Sequence, residues 1–93
     1  MKYTIQRTNR FDKDLKLAAK QGKDLSRLQV VIDKLASGEK LDERYRDHAL
    51  IGNYGGCREC HVTPDWLLVY KIDGDKLVLL LYRLGSHSEL FDE

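Results

Sequence analysis

The 93-residue sequence is poor in proline and cysteine, with one and two of them, and it has a net charge of only +1. Two cysteines cannot build the disulfide framework that small secreted domains rely on, so the core has to come from apolar packing. The longest apolar run, Leu77 to Tyr82, is of strand length, far short of the roughly 20 residues of a membrane helix. The first residues, Met-Lys-Tyr-Thr-Ile-Gln-Arg, lack the apolar stretch of a secretory signal, so residence in the cytoplasm without membrane contact is expected. A net charge of +1 excludes a generic polyanion binder held by bulk charge. Repeats and low-complexity segments are missing too, and the length allows one domain, residues 1–93, with a modest core.

What charge there is lies unevenly. Residues 1–46 carry 12 Lys and Arg against 7 Asp and Glu, whereas residues 47–93 carry 4 against 8. One reading is a division of labour, with a basic half that docks on phosphates and an acidic half that does chemistry. The other is that helices carry more lysine than strands.

Apolar spacing places the elements. Tyr3–Arg7 alternates and reads as a short strand. Asn9 can cap a helix on which Phe11, Leu15 and Ala18 recur until Gly22, and Asp24 a second with the stripe Leu25, Leu28, Ile32 and Leu35, ended by Gly38. The short gap between them predicts an antiparallel hairpin. Lys13, Lys16, Lys20 and Lys23 are expected to share one face of the first helix, either as a phosphate-tracking stripe or as a solvated surface. After a charged connector from Gly38 to Asp47 the period becomes two, predicting strands over 57–62, 66–72 and 76–82 with hairpin-length turns between them. The expected fold class is α+β: an N-terminal strand and an antiparallel helical hairpin packed on an antiparallel sheet of about four strands.

The chemistry-bearing residues gather late in the chain. His48 precedes this region, His61 ends one strand, Asp65 lies in the following turn, and Arg83 and His87 follow the last strand. Cleaving RNA without a metal needs a base for the 2′-hydroxyl proton, an acid for the leaving 5′-oxygen and a cation for the developing charge. Histidine serves either proton role near neutrality, Asp65 can orient a histidine or act as base, and Arg83 offers planar phosphate geometry. Trp66 and Phe91 are candidates to stack on bases, or else core residues, and Arg83 could instead pair with Glu89. A non-catalytic module binding through the helical hairpin is the alternative function class.

Two decoys use the same residues. Cys57-Arg-Glu-Cys60-His61 fits a haem-attachment pattern. However, Met1 is the only methionine, and strand residues three apart point to opposite faces, so the two thiols do not meet one partner. Too few ligands accompany the cysteines for a structural zinc. His48, His61, Asp65 and His87 suit a catalytic metal chemically but lack tight ligand spacing. No cofactor and no metal are expected.

Three blocks in order, Asp47-His48-Ala-Leu-Ile-Gly52, Gly56-Cys-Arg-Glu-Cys-His61-Val-Thr-Pro-Asp65-Trp66-Leu-Leu-Val-Tyr70-Lys and Arg83-Leu-Gly85-Ser-His87-Ser-Glu-Leu-Phe91, resemble the YafQ branch of the RelE-like bacterial toxins. Phe11-Asp-Lys-Asp-Leu-Lys resembles the first helix of that family, so the likeness spans essentially the whole chain. It implies a microbial ribonuclease-type fold and a ribosome-dependent mRNA endoribonuclease cutting in the ribosomal A site. It also implies a cognate antitoxin, with operator DNA contacted only through the toxin–antitoxin complex. The family's functional positions fall on His48, His61, Asp65, His87 and Phe91, with Trp66 beside them. His87 is then the expected general acid, His61 or Asp65 the base, and His48 an assistant. The lysines of the first helix would face ribosomal RNA.

Overall fold

A computed structural model describes residues 1–91. In chain order these form β1 (Thr4–Arg7), α1 (Asn9–Lys20), α2 (Leu25–Ala36), β2 (His48–Ala49), β3 (Arg58–Thr63), β4 (Trp66–Asp73), β5 (Val78–Gly85) and α3 (His87–Phe91), with single 3-10 turns at Glu43–Tyr45 and Gly52–Tyr54. Both long helices start on side-chain caps. Thr8 Oγ1 accepts from Phe11 N at 2.9 Å, one residue before the expected cap, and Asp24 accepts from Ser26 N at 3.0 Å. After α2 the chain passes Ser37 and turns at Gly38, whose φ of +78° is left-handed. That conformation selects glycine; the nearest atom to a Cβ there, Lys2 Cδ at 2.8 Å, belongs to an exposed lysine that can swing aside.

The α+β class holds, but the sheet differs from the expectation of about four antiparallel strands. It has five, in the order β1-β5-β4-β3-β2. β2 to β5 form an antiparallel meander, whereas β1 runs parallel to β5 with Thr4 opposite Val78. Two-residue β2 is too short for alternation to reveal. The last strand begins at Val78, two residues later than the expected start at Lys76. Asp73 Oδ1 accepts from Asp75 N and Lys76 N at 3.1 Å each, and Leu77 adopts φ 54°, so the turn extends through Leu77.

The core has two unequal layers. Phe11, Leu28, Val31, Ile32 and Leu35 from the helices bury one face of the sheet, against Cys60, Leu68, Tyr70, Leu79 and Leu81. The other face carries a smaller cluster of Cys57, Leu67, Val69 and Leu90, flanked by Leu50, Tyr54 and Phe91. β4 is covered on both sides, which is why Trp66 to Tyr70 is an unbroken apolar run rather than an alternating one. No helix among the described residues is long and apolar enough to cross a membrane.

Candidate active site

Strand alternation sends Cys60 and Val62 towards the helices and leaves Glu59 and His61 on the opposite face. Pro64 and Asp65 form the tight turn between β3 and β4, and the register shifts between His61 and Thr63. The single proline fixes φ at the turn, and its carbonyl accepts a hydrogen bond from His61 Nδ1 at 3.2 Å. A carbonyl only accepts, so Nδ1 carries a proton. Nε2 lies 3.5 Å from Glu59 Oε1. His48, across from Glu59 on β2, repeats the arrangement. Its Nδ1 donates to Arg46 O at 2.7 Å and its Nε2 lies 3.8 Å from the same Glu59 oxygen. Glu59 is 2% exposed and stands between the two rings.

The third histidine comes from α3, a helix absent from the sequence-based expectation. Ser86 Oγ accepts from Glu89 N at 3.2 Å while Glu89 Oε1 accepts from Ser86 N at 2.8 Å, a reciprocal capping box. The bond donated by Ser86 N holds the Glu89 carboxyl below its ordinary value. The box makes His87 the first helical residue and turns it towards the β3–β4 hairpin. Its ring centroid lies 5.8 Å from that of His61, and its Nδ1 is 4.0 Å from Asp65 Oδ1. Phe91, one turn on, packs 5.9 Å from the His87 ring and edge-on to Tyr54 at 5.6 Å. His48, His61, Asp65, His87 and Phe91 are thus brought together at one end of the site face. Each of the two adjoining histidines has a carboxylate beside it, Glu59 for His61 and Asp65 for His87.

Several sequence expectations are corrected. Arg83 is not a free cation: Nε and Nη2 donate to Asp14 at 2.9 and 3.3 Å, and Nη1 donates to Tyr54 Oη at 3.2 Å. The hydrogen-bonded Asp14 carboxylate raises its pKa further, and Glu89 is occupied by Ser86 rather than paired with Arg83. Arg83 therefore ties β5 to α1 and to Tyr54, one step behind Phe91. Trp66 is 2% exposed within the helix-side core and has no face to offer a base. Lys13, Lys16, Lys20 and Lys23 are exposed along and just beyond α1, outside the histidine cluster. Cys57 and Cys60 point into opposite clusters as free thiols, both with pKa raised by burial. Among the described residues no group of three or more His, Cys, Asp or Glu side chains is placed to share a metal ion. Glu59 and Tyr54 were missed as site residues. The same-face relation of Glu59 and His61 was visible in the alternation, but the burial that makes Glu59 a shared partner was not.

Comparison with known proteins adds to this geometry. The family model described as the bacterial toxin of type II toxin–antitoxin systems, YafQ, matches residues 3–92. The mRNA interferase toxin YafQ of Escherichia coli strain K12 is 41% identical over 88 residues, covering 94% of each chain. Among solved structures, a metal-bound toxin from Helicobacter pylori is 49% identical with a TM-score of 0.90, covering 96% of this chain and 99% of that one. The E. coli DinJ-YafQ toxin–antitoxin complex gives 38% identity and a TM-score of 0.87, over 98% and 99% of the two chains.

Proposed function

Because this chain belongs to the YafQ family of toxins from bacterial type II toxin–antitoxin systems, we propose that it is an mRNA endoribonuclease that cuts message on the ribosome by metal-independent acid–base catalysis. The observation that carries this reading is the pair of imidazoles 5.8 Å apart, each beside a carboxylate, with Phe91 adjoining. The ribose 2′-oxygen attacks the adjacent phosphorus, the bond to the 5′-oxygen breaks, and a 2′,3′-cyclic phosphate and a 5′-hydroxyl result. His87, half exposed, gives its proton to the leaving 5′-oxygen. Asp65 is the most open acidic group of the site, with 79% of its side chain accessible, and it takes the 2′-hydroxyl proton. Both ring nitrogens of His61 face partners within the protein. Its protonated form supplies positive charge at the phosphate in place of Arg83, and His48 with Glu59 holds it there. Phe91 offers a face for a base.

The histidine cluster itself contacts only the groups at the scissile bond, which suits a domain whose message is oriented by the ribosomal A site. Orientation is worth up to about 7–11 kcal/mol of barrier. The lysines of α1 form the surface that meets ribosomal RNA. A cognate antitoxin neutralises the enzyme, as the DinJ complex of the E. coli relative suggests, and operator DNA is met only through that complex. The work is done where ribosomes translate, in the cytoplasm.

Mapping of mRNA 5′-ends after brief induction in a bacterial host tests the proposal. Discrete cuts in register with codons are expected for the wild-type protein and lost in His87→Ala, and in a purified translation system they should persist when the protein has been treated with a chelator that is removed before it meets the ribosomes. No new ends from either protein would sink the nuclease reading and leave a binding module. Cuts lost after that treatment and restored by added zinc or iron would leave a metal-dependent hydrolase.

A further inference from the structure

Beside the histidine cluster, at the margin of β3 beyond the end of β2, lies a cleft of about 740 Å³. α2 lines one side with Arg27 and Val30, the 3-10 turn lines the other with Arg44, Tyr45 and Arg46, and the stretch from His61 to Pro64 closes it towards the site. Every ionised side chain in that lining is an arginine, and no carboxylate is among them. For a protein with a net charge of +1 this is a pronounced local excess.

The arginines are arranged, not merely abundant. The Arg44 guanidinium lies 4.8 Å over the Tyr45 ring and donates to Tyr45 Oη at 2.9 Å, which fixes its plane. Arg46 sits at φ 47°, ψ 42°, a left-handed conformation unusual for a side chain of its size. The same residue's carbonyl accepts the bond from His48 Nδ1. The turn that presents Arg46 to the cleft therefore also holds a histidine of the site. Among the described residues Arg27 has only a loose ion pair with Asp24 at 3.7 Å, and Arg44 and Arg46 have none. Arg58 and Arg83, by contrast, are bound to Asp47 and Asp14.

We infer that this cleft is the track for the RNA strand flanking the scissile bond, with Arg27, Arg44 and Arg46 binding consecutive backbone phosphates. The inference rests on the endoribonuclease reading of the adjoining site and extends it to substrate binding. Planar guanidinium forks match phosphate geometry, and a phosphodiester chain leaving His61 would present one negative charge per nucleotide along the cleft. An acidic protein segment would also feel the charge, but Val30, Val62 and Pro64 are the aliphatic side chains it would find there, and Val62 is almost wholly buried, too little for a docked helix or strand.

The test uses the full chain carrying His87→Ala, so that RNA is bound and not cut, with a short fluorescein-labelled single-stranded RNA of mixed sequence as probe. Adding Arg44→Gln and Arg46→Gln should weaken binding about tenfold and lower the slope of log K against log salt by about 1.4, roughly 0.7 per lost phosphate contact. Arg27→Gln alone, on the exposed face of a regular helix, should lower it by about half as much and guards against misfolding of the 44–46 turn. Unchanged affinity and slope in both variants would overturn the inference. So would unchanged RNA affinity with weakened binding of the co-purified antitoxin, which would make the cleft a protein-docking surface. Weakened probe binding would support the cleft even if the wild-type protein cut nothing on ribosomes. Cleavage on ribosomes with unaltered probe binding would refute the cleft alone.

Discussion

The two faces of the sheet are built on different principles. The helix side is a continuous apolar layer in which large side chains such as Phe11, Leu79 and Tyr70 are almost wholly buried. The site side has only a small apolar cluster, and around it sit a buried Glu59, three histidines and the Asp14–Arg83–Tyr54 chain of hydrogen bonds. β4, sealed on both faces, separates them. One face therefore holds the protein together while the other accepts polar groups that stabilise little and leave room for chemistry.

The sharpest way to break that contrast is to remove one side chain from each face. His87→Ala should cost about 10²- to 10⁴-fold in mRNA cleavage, roughly 3–5.5 kcal/mol of barrier, with little change in thermal midpoint. Its side chain is 47% accessible and caps nothing. Leu79→Ala should do the reverse. Leu79 has no exposure, so its truncation should cost about 2–5 kcal/mol in denaturant-monitored stability. Cleavage per folded molecule should remain near that of wild type. If both variants lost stability equally, the faces would not be divided in this way.

Glu59→Gln sharpens the contrast within the site face. The carboxylate is nearly as buried as the core leucines, yet its contacts are the Nε2 atoms of His48 and His61. As a positioning residue it should lower cleavage about 10- to 100-fold, the range for carboxylates that orient metal-bound histidines. The effect should fall on kcat and alter the pH profile, leaving KM near its wild-type value. A glutamine variant that lost stability but kept its pH profile would make Glu59 structural only.

These differences also mark what the sequence disclosed. The helix face was legible because it follows a period: the stripe Leu28, Ile32 and Leu35 and the cap at Asp24 depend on neighbours a few positions away, and the cap of α1 lies at Thr8, one residue from the expected Asn9. The convergence of His48, His61, Asp65, His87 and Phe91 was readable from their placement at strand ends together with the family resemblance. What could not be read were long-range choices. β1 pairs in parallel with a strand more than seventy residues away, and Arg83 selects Asp14 over Glu89 because α1 crosses β5 there. Trp66 shares the helix-side face of β4 with Leu68 and Tyr70, and which of that strand's two apolar faces meets the helices is decided by packing across the whole sheet. α3 is only five residues long, below the length at which apolar spacing speaks, although its capping residues, Ser86 and Glu89, were in plain view.

That capping box gives the smallest and most local effect. The backbone bond from Ser86 leads the causes that lower the Glu89 pKa from about 4.5, with further contributions from Gln21 and Lys23 at the end of α1. A carboxyl lowered on folding adds stability above its unfolded value, and that stability is lost as pH falls through the lower folded value. α3 should therefore loosen below about pH 4.5 while the helix-side core persists, and the contribution should stay under about 1 kcal/mol because the side chain is exposed. Exchange of the Leu90 amide, which donates to Ser86 O at 3.0 Å, reports the event directly. Its protection factor, the observed rate set against the intrinsic rate at the same pH, should fall on acidification in the wild-type protein but not in Glu89→Gln, where an amide oxygen still accepts from Ser86 N without titrating. An equal fall in both would assign the acid sensitivity elsewhere. The wild-type pattern would show that the segment carrying His87 is fastened by local electrostatics, independently of the core beneath it.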